Sequence, residues 1–169
     1  VAQAPLRKME TARRAASNNL AETRAMIAAL APAPLTESSL RDALARVADD
    51  FGEAGGLDIG VEVDGEAVPL PMRVEAGLLR IAQGAVSNVV NHAEASAARI
   101  TLTYAPEEVR LDVVDNGRGC DVDAQGLKPS GLGHLGLDAM RSRAAELGGM
   151  LEIESAPGGP TALTVAVPV

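Results

Sequence analysis

The sequence predicts an α+β fold, an α/β two-layer sandwich in which helices cover one face of a mixed β-sheet. Three observations predict it. Short segments of alternating apolar and polar residues come in consecutive pairs, such as 98–105 with 107–115, and indicate strands. Longer segments with apolar residues three and four apart separate those pairs and indicate helices. One Tyr, one Phe and no Trp leave the core to Ala, Val, Leu and Ile.

The first predicted element is a long N-terminal helix over residues 5–30, a stretch without Gly whose only Pro is its first residue. We interpret it as a self-association helix, and the alternative is an amphipathic helix packed on its own domain. Because an isolated helix of this length is marginal in water, either interpretation needs a partner for its apolar face. That face keeps a heptad spacing interrupted by one Arg and one Thr: Leu6, Met9, Arg13, Ala16, Leu20, Thr23, Ile27 and Leu30.

The APAP stretch at 31–34 ends this helix, because proline removes a backbone donor and disfavours helix in the residue before it. Thr36 or Ser38 can cap a second helix over roughly 37–51. The later elements are predicted in this order: a strand at 57–63, a helix over roughly 73–93, a strand pair joined across Pro106, a glycine-rich stretch at 126–137, a helix ended by Gly148-Gly149, and the strands MLEIES and TALTVAVPV.

Composition excludes several classes of function. The net charge of −8 argues against non-specific binding to nucleic acid or to an anionic membrane, and the chain offers no aromatic stacking platform. A single cysteine excludes an internal disulfide and a cysteine-built zinc site. Without an apolar run of membrane-spanning length or a signal peptide, we expect a cytoplasmic chain with no membrane contact of its own. Because it begins at Val1 without Met, we interpret it as a piece of a longer protein, which can itself be membrane-anchored.

The segment DNGRGCD at 115–121 follows directly on the apolar run VRLDVV. Asn-Gly is a strong hairpin signal, so a plain hairpin is one interpretation. The other is a turn whose bare backbone lies against a ligand. In that case Asp115, at the end of a strand, can accept a hydrogen bond from an exocyclic amine such as that of adenine. Gly117 and Gly119 would then let the purine pack against the backbone.

Two further segments carry groups suited to phosphates. Gly131, Gly133 and Gly136 lead into a helix predicted to begin near residue 135, where free N–H groups and the helix dipole favour an anion. This is neither a P-loop nor a dinucleotide fingerprint, since no Gly-Lys-Ser/Thr follows and no strand directly precedes it. On the helix at 73–93, Asn88 and His92 share a face.

The carboxamide oxygen of Asn88 is a hard ligand suited to Mg²⁺. Asn91 lies beside it, and His92 can donate to a phosphate oxygen. The alternative for His92 is a helix-terminal histidine satisfied by the backbone.

Four motifs in this order make the whole chain resemble the ATP-binding catalytic domain of sensor histidine kinases: RIAQGAVSNVVNHAEAS, DNGRG, GHLGLDAMRSRAAELGG and PGG-x-T. In particular, the chain is similar to the subfamily that pairs with response regulators carrying a helix-turn-helix output domain. The resemblance implies the GHKL, or Bergerat, ATPase fold, in which ATP lies between the sheet and a mobile lid. It also implies three segments: 1–30 as the second helix of a dimerisation bundle, 31–36 as a connector, and 37–169 as the catalytic domain.

The resemblance also implies ATP and Mg²⁺ as cofactors and assigns residues to them. Asn88 would be the Mg²⁺ ligand, with Asn91 and His92 near the phosphates. Asp115 would bind the adenine amine, and Thr161 would bond Asp115 or a water at the adenine edge. The purine pocket would be shaped by Gly117 and Gly119, the lid would span 122–133, and the second glycine motif at the triphosphate would comprise Gly133, His134, Leu135, Gly136 and Leu137.

The implied activity is transfer of the ATP γ-phosphoryl group to a bundle histidine and its relay to the receiver domain of a response regulator. In this family the acceptor lies on the first bundle helix, which we expect upstream of Val1. Both histidines of the chain fall in nucleotide motifs, so we expect no autophosphorylation by the chain alone. In the full-length protein, the N-terminal helix would form a homodimer.

Three positions depart from the family pattern. Gly84 stands where the family usually has Glu, Asn91 where it has Lys or Arg, and His134 replaces the first glycine of the second glycine motif. A mid-helix glycine costs about 1 kcal/mol relative to alanine. These departures motivate an alternative, a degenerate GHKL nucleotide-binding signalling module with weak or no kinase activity.

A third interpretation is a serine-protein kinase of the anti-sigma type on the same fold, against which the heptad helix and the connector count. Cys120, after the DNGRG turn, is interpreted as a small buried thiol, with a redox-sensitive residue at the pocket rim as the alternative.

Overall fold

The computed structural model describes residues 39–119 and 132–169, and for residues 132–135 the backbone only. The predicted helix at 5–30, the connector at 31–36 and Cys120 therefore lie outside the described residues. So does the predicted lid up to residue 131.

Within residues 39–119 and 132–169, five strands form one sheet in the order β1-β2-β3-β5-β4. The strands are β1 (Asp58–Asp64), β2 (Ala97–Tyr104), β3 (Glu108–Asp115), β4 (Met150–Ser155) and β5 (Thr161–Pro168). β1 pairs with β2 in parallel, and every other neighbouring pair is antiparallel. The predicted mixed sheet is confirmed, and so is the strand pair joined across Pro106.

The helices are α1 (Leu40–Gly55), α2 (Met72–Asn88), a π-helical turn (Val89–Ala93) that continues α2, and α3 (Leu132–Glu146). Two predicted helix starts are wrong. α1 is capped by Ser39, whose Oγ accepts from the backbone N–H of Asp42 at 3.3 Å, and not by Thr36 or Ser38. α3 begins at Leu132 and not near residue 135, because its first turn incorporates glycine that local propensity assigns to a loop.

The core lies between the helices and one face of the sheet. Alternate strand residues form two buried or half-buried apolar rows in register, Val61–Ile100–Val113–Leu163–Ile153 and Val63–Leu102–Leu111–Val165–Leu151. Leu44 of α1, Leu78 and Ile81 of α2 and Met140 of α3 are buried in the same cluster. Each fully buried side chain of this size contributes about 1.5–3 kcal/mol. The predicted coverage of one sheet face by helices is confirmed.

Across residues 39–119 and 132–169, every helix is too short or too polar to span a bilayer.

The pKa values of two neighbouring groups are raised where α2 begins. Glu75 is half-buried in the first turn of α2, and burial raises the pKa of its carboxyl group. Burial also raises the pKa of Tyr104 at the end of β2, and the nearby charge of Glu75 adds to that effect. The charged form of Glu75 is therefore disfavoured in the folded protein.

We expect Glu75→Gln to be more stable than the native chain at about pH 7 and equally stable at about pH 3. The pKa of this carboxyl is higher in the folded chain than in the unfolded chain. The folded chain is therefore most stable below the unfolded-state pKa, and this stability is lost as pH rises through the folded-state pKa. Urea midpoints at both pH values measure the difference. Glu66→Gln, at an exposed position, is the control and should shift neither midpoint. A less stable Glu75→Gln at about pH 7 would contradict the prediction.

Candidate functional site

The carboxylate of Asp115 ends β3 on the helix-covered face of the sheet. Among the described residues it is the one buried charged side chain, with 5% of its surface exposed. Its Oδ1 accepts a hydrogen bond from the backbone N–H of Gly117 at 2.8 Å. Within residues 39–119 and 132–169, its second oxygen has no hydrogen-bond partner. Because buried acceptors are normally paired, Oδ2 is an acceptor available to a ligand.

A row of polar groups extends from Asp115 across the end of the sheet. Asp115 pairs with Thr161 of β5, and Thr161 pairs with Ser155 of β4. The hydroxyl oxygens of Thr161 and Ser155 are 2.7 Å apart. This row continues the two apolar rows of the core, so its side chains lie on the same face. The core face therefore ends in a carboxylate and two hydroxyl groups.

The turn after Asp115 does not form a hairpin. The N–H of Arg118 donates to the carbonyl of Ala93 at the end of the π-helical turn, at 2.8 Å. On the other side, the N–H of Gly158 in the β4–β5 connection donates to the carbonyl of Arg118 at 2.6 Å. The hairpin interpretation of DNGRG is therefore wrong, because both sides of β3 are already paired, with β2 and β5, and the turn is bonded to the π-helical turn and to the β4–β5 connection.

The two glycines of the turn are required by close backbone contacts. A Cβ atom at Gly117 would lie 2.8 Å from Asp115 Oδ1 and would overlap the carbonyl oxygen of Ala93. Gly119 has a φ of 65°, and a Cβ atom there would overlap the carbonyl oxygen of Ala156. Bare backbone is therefore present at both predicted positions, and at Gly117 it lies directly beside the carboxylate.

Asn116, between these residues, has a role that sequence reasoning missed. Its Oδ1 accepts from the N–H groups of Ser96 and Ala97, both at 3.0 Å, and its Nδ2 donates to Ser96 Oγ at 2.9 Å. These bonds fasten the turn to the start of β2. An Asn before Gly is common in turns for reasons of local propensity, so the long-range bonds left no separate signal.

The end of α2 brings Asn88 to the beginning of α3. The side chain of Asn88 is half-buried, and its Oδ1 lies 3.9 Å from the position that a Cβ atom would take at Gly136. Among the described residues the Asn88 amide has no hydrogen-bond partner. Leu137, the next residue of α3, packs half-buried against the core. The predicted metal ligand and part of the second glycine motif are therefore neighbours.

The other two polar residues of this helix differ from Asn88. Asn91 donates from Nδ2 to the buried Ser87 hydroxyl at 3.2 Å, so its amide is engaged within its own helix. The side chain of His92 is exposed, and its carbonyl accepts from Arg118 Nε at 3.2 Å. Asn88 is the last residue of α2, and His92 lies in the π-helical turn that follows it.

The remaining predicted residues, Gly133, His134 and Leu135, lie in the first turn of α3, where only the backbone is described. The first four N–H groups of a helix have no partner within it, so this turn can donate to an anion. The described residues hold no group of three His, Cys, Asp or Glu side chains that could bind a metal. A cation here would depend on Asn88 and on the oxygens of a ligand.

Comparison with known proteins identifies the family. The profile described as "Histidine kinase-, DNA gyrase B-, and HSP90-like ATPase" matches residues 73–169. The chain is 35% identical over 148 residues to the sensor histidine kinase LiaS of Bacillus subtilis, covering 88% of this chain and 39% of LiaS. It is 32% identical to the sensor protein VraS of Staphylococcus saprophyticus, covering 88% of this chain and 41% of VraS. It therefore spans less than half the length of these relatives.

Solved structures show the same fold. The blue-light activated histidine kinase of Erythrobacter litoralis EL346 superposes with a TM-score of 0.60 at 21% identity, over 76% of this chain and 45% of that one. Its histidine kinase domain gives a TM-score of 0.58 at 22% identity, over 76% and 64% of the two chains.

The chain belongs to the histidine kinase-, gyrase- and HSP90-like ATPases. Within that family it is an ATP-binding domain similar to those of sensor histidine kinases. The resemblance drawn from the four motifs is thereby confirmed, together with the GHKL fold and the use of ATP. The individual residue assignments stay predictions.

Removing the hydroxyl of Thr161 is expected to weaken ADP binding about fivefold, because roughly one hydrogen bond to the predicted purine edge would be lost. Thr161→Val keeps the shape of the side chain, and calorimetry measures the dissociation constant. Thr164→Val is a matched control on the opposite face of β5, where the hydroxyl donates to Asp112 Oδ1 at 2.6 Å. It should alter stability and leave ADP affinity unchanged. Equal affinities for Thr161→Val and the native chain would remove Thr161 from the site.

Proposed function

We propose that this domain binds Mg-ATP and, in the full-length kinase, presents the γ-phosphoryl group to a histidine of a dimerisation bundle. The histidine would pass it to the aspartate of a response-regulator receiver domain. One observation carries the nucleotide assignment above all. The buried carboxylate of Asp115 has one oxygen without a partner in the described part of the chain, and it lies beside bare backbone and a hydroxyl row.

At the purine end, we assign adenine recognition to Asp115. Its Oδ2 would accept from the exocyclic amine, while Oδ1 stays bonded to the N–H of Gly117. The hydroxyl of Thr161 would bond the same edge or a water bound there. Gly117 and Gly119 would shape the pocket through the turn itself, because only glycine lets the backbone approach Ala93 and Ala156 so closely. A carboxylate that accepts from an amine would select adenine over guanine, which presents a carbonyl there.

At the phosphate end, Asn88 would supply one oxygen ligand to Mg²⁺, whose charge offsets that of the phosphates. The free N–H groups in the first turn of α3 would donate to phosphate oxygens, from Gly133, His134 and Leu135 toward Gly136. His92, exposed at the end of the π-helical turn, can add a donor. Asn91 donates one Nδ2 hydrogen to Ser87 and has a second that can be donated to a phosphate.

Catalysis by this domain would consist of holding ATP in place and neutralising its charge. We assign the acceptor histidine and the base to the bundle. We further propose that residues 1–30 belong to that bundle and form a homodimer. Residues 31–36 would connect the bundle to the catalytic domain at 37–169. The domain would act in the cytoplasm, where ATP is available.

Calorimetric titration tests the nucleotide site first. We expect ADP and a non-hydrolysable ATP analogue to bind, and Mg²⁺ to strengthen binding of the analogue. A folded chain that binds neither nucleotide would refute the proposal. A longer chain that includes the bundle then tests the acceptor with labelled ATP. Phosphohistidine is acid-labile and phosphoserine is not, so an acid-stable product would support the serine-kinase alternative instead.

A degenerate signalling module is the second candidate. Two observations favour it, since Gly84 supplies no carboxylate beside Asn88 and Asn91 supplies no positive charge. It predicts nucleotide binding without phosphoryl transfer in the longer chain. Asn91→Lys would restore a phosphate-neutralising charge, so a rise in transfer in this variant would identify the missing charge as the cause.

A further inference from the structure

Helices α2 and α3 pack with two glycines of α2 facing two large side chains, Met140 on α3 and Leu147 directly after its end at Glu146. A Cβ atom at Gly77 would lie 2.6 Å from Leu147 Cδ1, and a Cβ atom at Gly84 would lie 3.1 Å from Met140 Sδ. Met140 and Leu147 are both buried. The glycines are seven residues apart, and so are the side chains they receive, in the opposite order. The two helices are therefore antiparallel, with a fixed register.

The same register brings the two halves of the phosphate end together. Asn88 follows Gly84 by four residues, one helical turn, and Gly136 precedes Met140 by four residues. A Cβ atom at Gly136 would lie 3.9 Å from Asn88 Oδ1, so these two residues face each other as Gly84 and Met140 do. The contact between Gly84 and Met140 is thus one turn away from the proposed cation and phosphate position.

We propose that Gly84 is a positioning residue. By admitting Met140, it sets the separation between the Asn88 amide and the phosphate-binding turn of α3. This inference rests on the proposed function of Asn88 and of that turn. Glycine at position 84 then does more than remove a carboxylate. The space that it leaves is filled by Met140, and this packing holds Asn88 beside the first turn of α3.

The consequences of a side chain at position 84 follow from its surroundings. A Cβ atom would lie closer to Met140 Sδ than most packing contacts do, so either Met140 or α3 must give way by a few tenths of an ångström. The C-terminal end of α3 is fixed by Leu147 against Gly77, and the chain enters β4 at Met150. A displacement of α3 would therefore fall at its N-terminal end, beside Asn88.

Gly84→Ala tests the proposal, with Gly77→Ala as the matched control. Both substitutions bring the same gain in helix propensity and the same added methyl group. We expect Gly84→Ala to bind the Mg-bound ATP analogue about tenfold more weakly, because small misplacements at such sites are costly. Its affinity for AMP, followed by NMR titration, should change less than twofold. Gly77→Ala should shift the urea midpoint and leave both affinities unchanged.

A second variant and a second measurement keep the result unambiguous. Shortening the opposing side chain in Gly84→Ala/Met140→Ala should recover most of the lost affinity for the analogue. In crystals without nucleotide, the distance from Asn88 Oδ1 to Gly136 Cα should grow by about 0.5 Å in Gly84→Ala and stay unchanged in Gly77→Ala.

An unchanged distance in Gly84→Ala would overturn the inference whether or not nucleotide binds. An equal loss of affinity for AMP and for the analogue would overturn it too. Failure of the native chain to bind any nucleotide would refute the proposed function instead, and the distance measurement would still decide the role of Gly84.

Discussion

Asp115→Asn is expected to bind ADP about 10- to 100-fold more weakly than the native chain, the cost of losing a hydrogen bond to a charged group. The substitution preserves the size of the side chain and can keep an oxygen facing the N–H of Gly117. The second position then carries an NH₂ group, which would meet the amine of adenine donor to donor. The loss should therefore appear for ADP and for the ATP analogue alike, with or without Mg²⁺.

Asp112→Asn is the control that separates this effect from a general change in charge. Asp112 lies on the same strand but on the opposite face of the sheet, where its Oδ1 accepts from the hydroxyl of Thr164. Calorimetry on both variants should show a loss only for Asp115→Asn. An affinity loss of similar size in the two variants, or none in either, would place the adenine edge elsewhere.

The stability of Asp115→Asn carries separate information. A buried carboxylate with one hydrogen-bond donor is costly to keep in the folded chain without a ligand. Its neutral counterpart should thus unfold at an equal or higher urea concentration. A chain that becomes more stable while it loses its ligand would show that Asp115 is retained for binding rather than for folding.

Periodicity in the sequence predicted most of the sheet and core, for a physical reason. A strand buried on one face must alternate, and the alternation of β2, β3 and β5 continues in register across the sheet. The same alternation places Asp115 and Thr161 on the core face, two residues beyond Val113 and two before Leu163. Their proximity could therefore be derived from spacing once the strand order was known.

The features that the sequence did not reveal depend on contacts between distant segments. Asn116 bonds to residues about twenty positions earlier, and its local pattern is that of any Asn-Gly turn. Ser155 reaches the polar row because β4 pairs with β5, although its position in the alternation of β4 could have indicated it. The π-helical turn that contains Asn91 and His92 also has no local signal comparable to a proline or a cap.

Gly84 shows the limit of reasoning from a family pattern. The family pattern has Glu at this position, so Gly84 first indicates a lost carboxylate. Helix propensity indicates in addition that glycine destabilises the helix here. Its packing against Met140 gives it a different meaning, which depends on residue 140 and on the register of α3. Neither piece of information is local to position 84.

Gly117→Ala is expected to lose about 2–3 kcal/mol of the free energy of unfolding, and ADP binding should fall more than tenfold. The added methyl group would overlap the carbonyl oxygen of Ala93 and lie 2.8 Å from both Ala93 Cβ and Asp115 Oδ1. Backbone atoms cannot rotate away as a flexible side chain can, so the turn must separate from the π-helical turn. That movement would break the bond between Asp115 and the N–H of residue 117 and misplace the carboxylate.

Gly60→Ala provides the comparison for this variant. Gly60 lies on β1, and a Cβ atom there would meet no other atom within 4 Å. The same chemical change should therefore leave stability within about 1 kcal/mol of the native value and ADP affinity unchanged. If Gly117→Ala keeps native affinity after losing stability, the turn is structural only. If Gly117→Ala keeps both native stability and native ADP affinity, the turn does not approach Ala93 this closely in solution. A turn that does approach it this closely could not accept the added methyl group without cost.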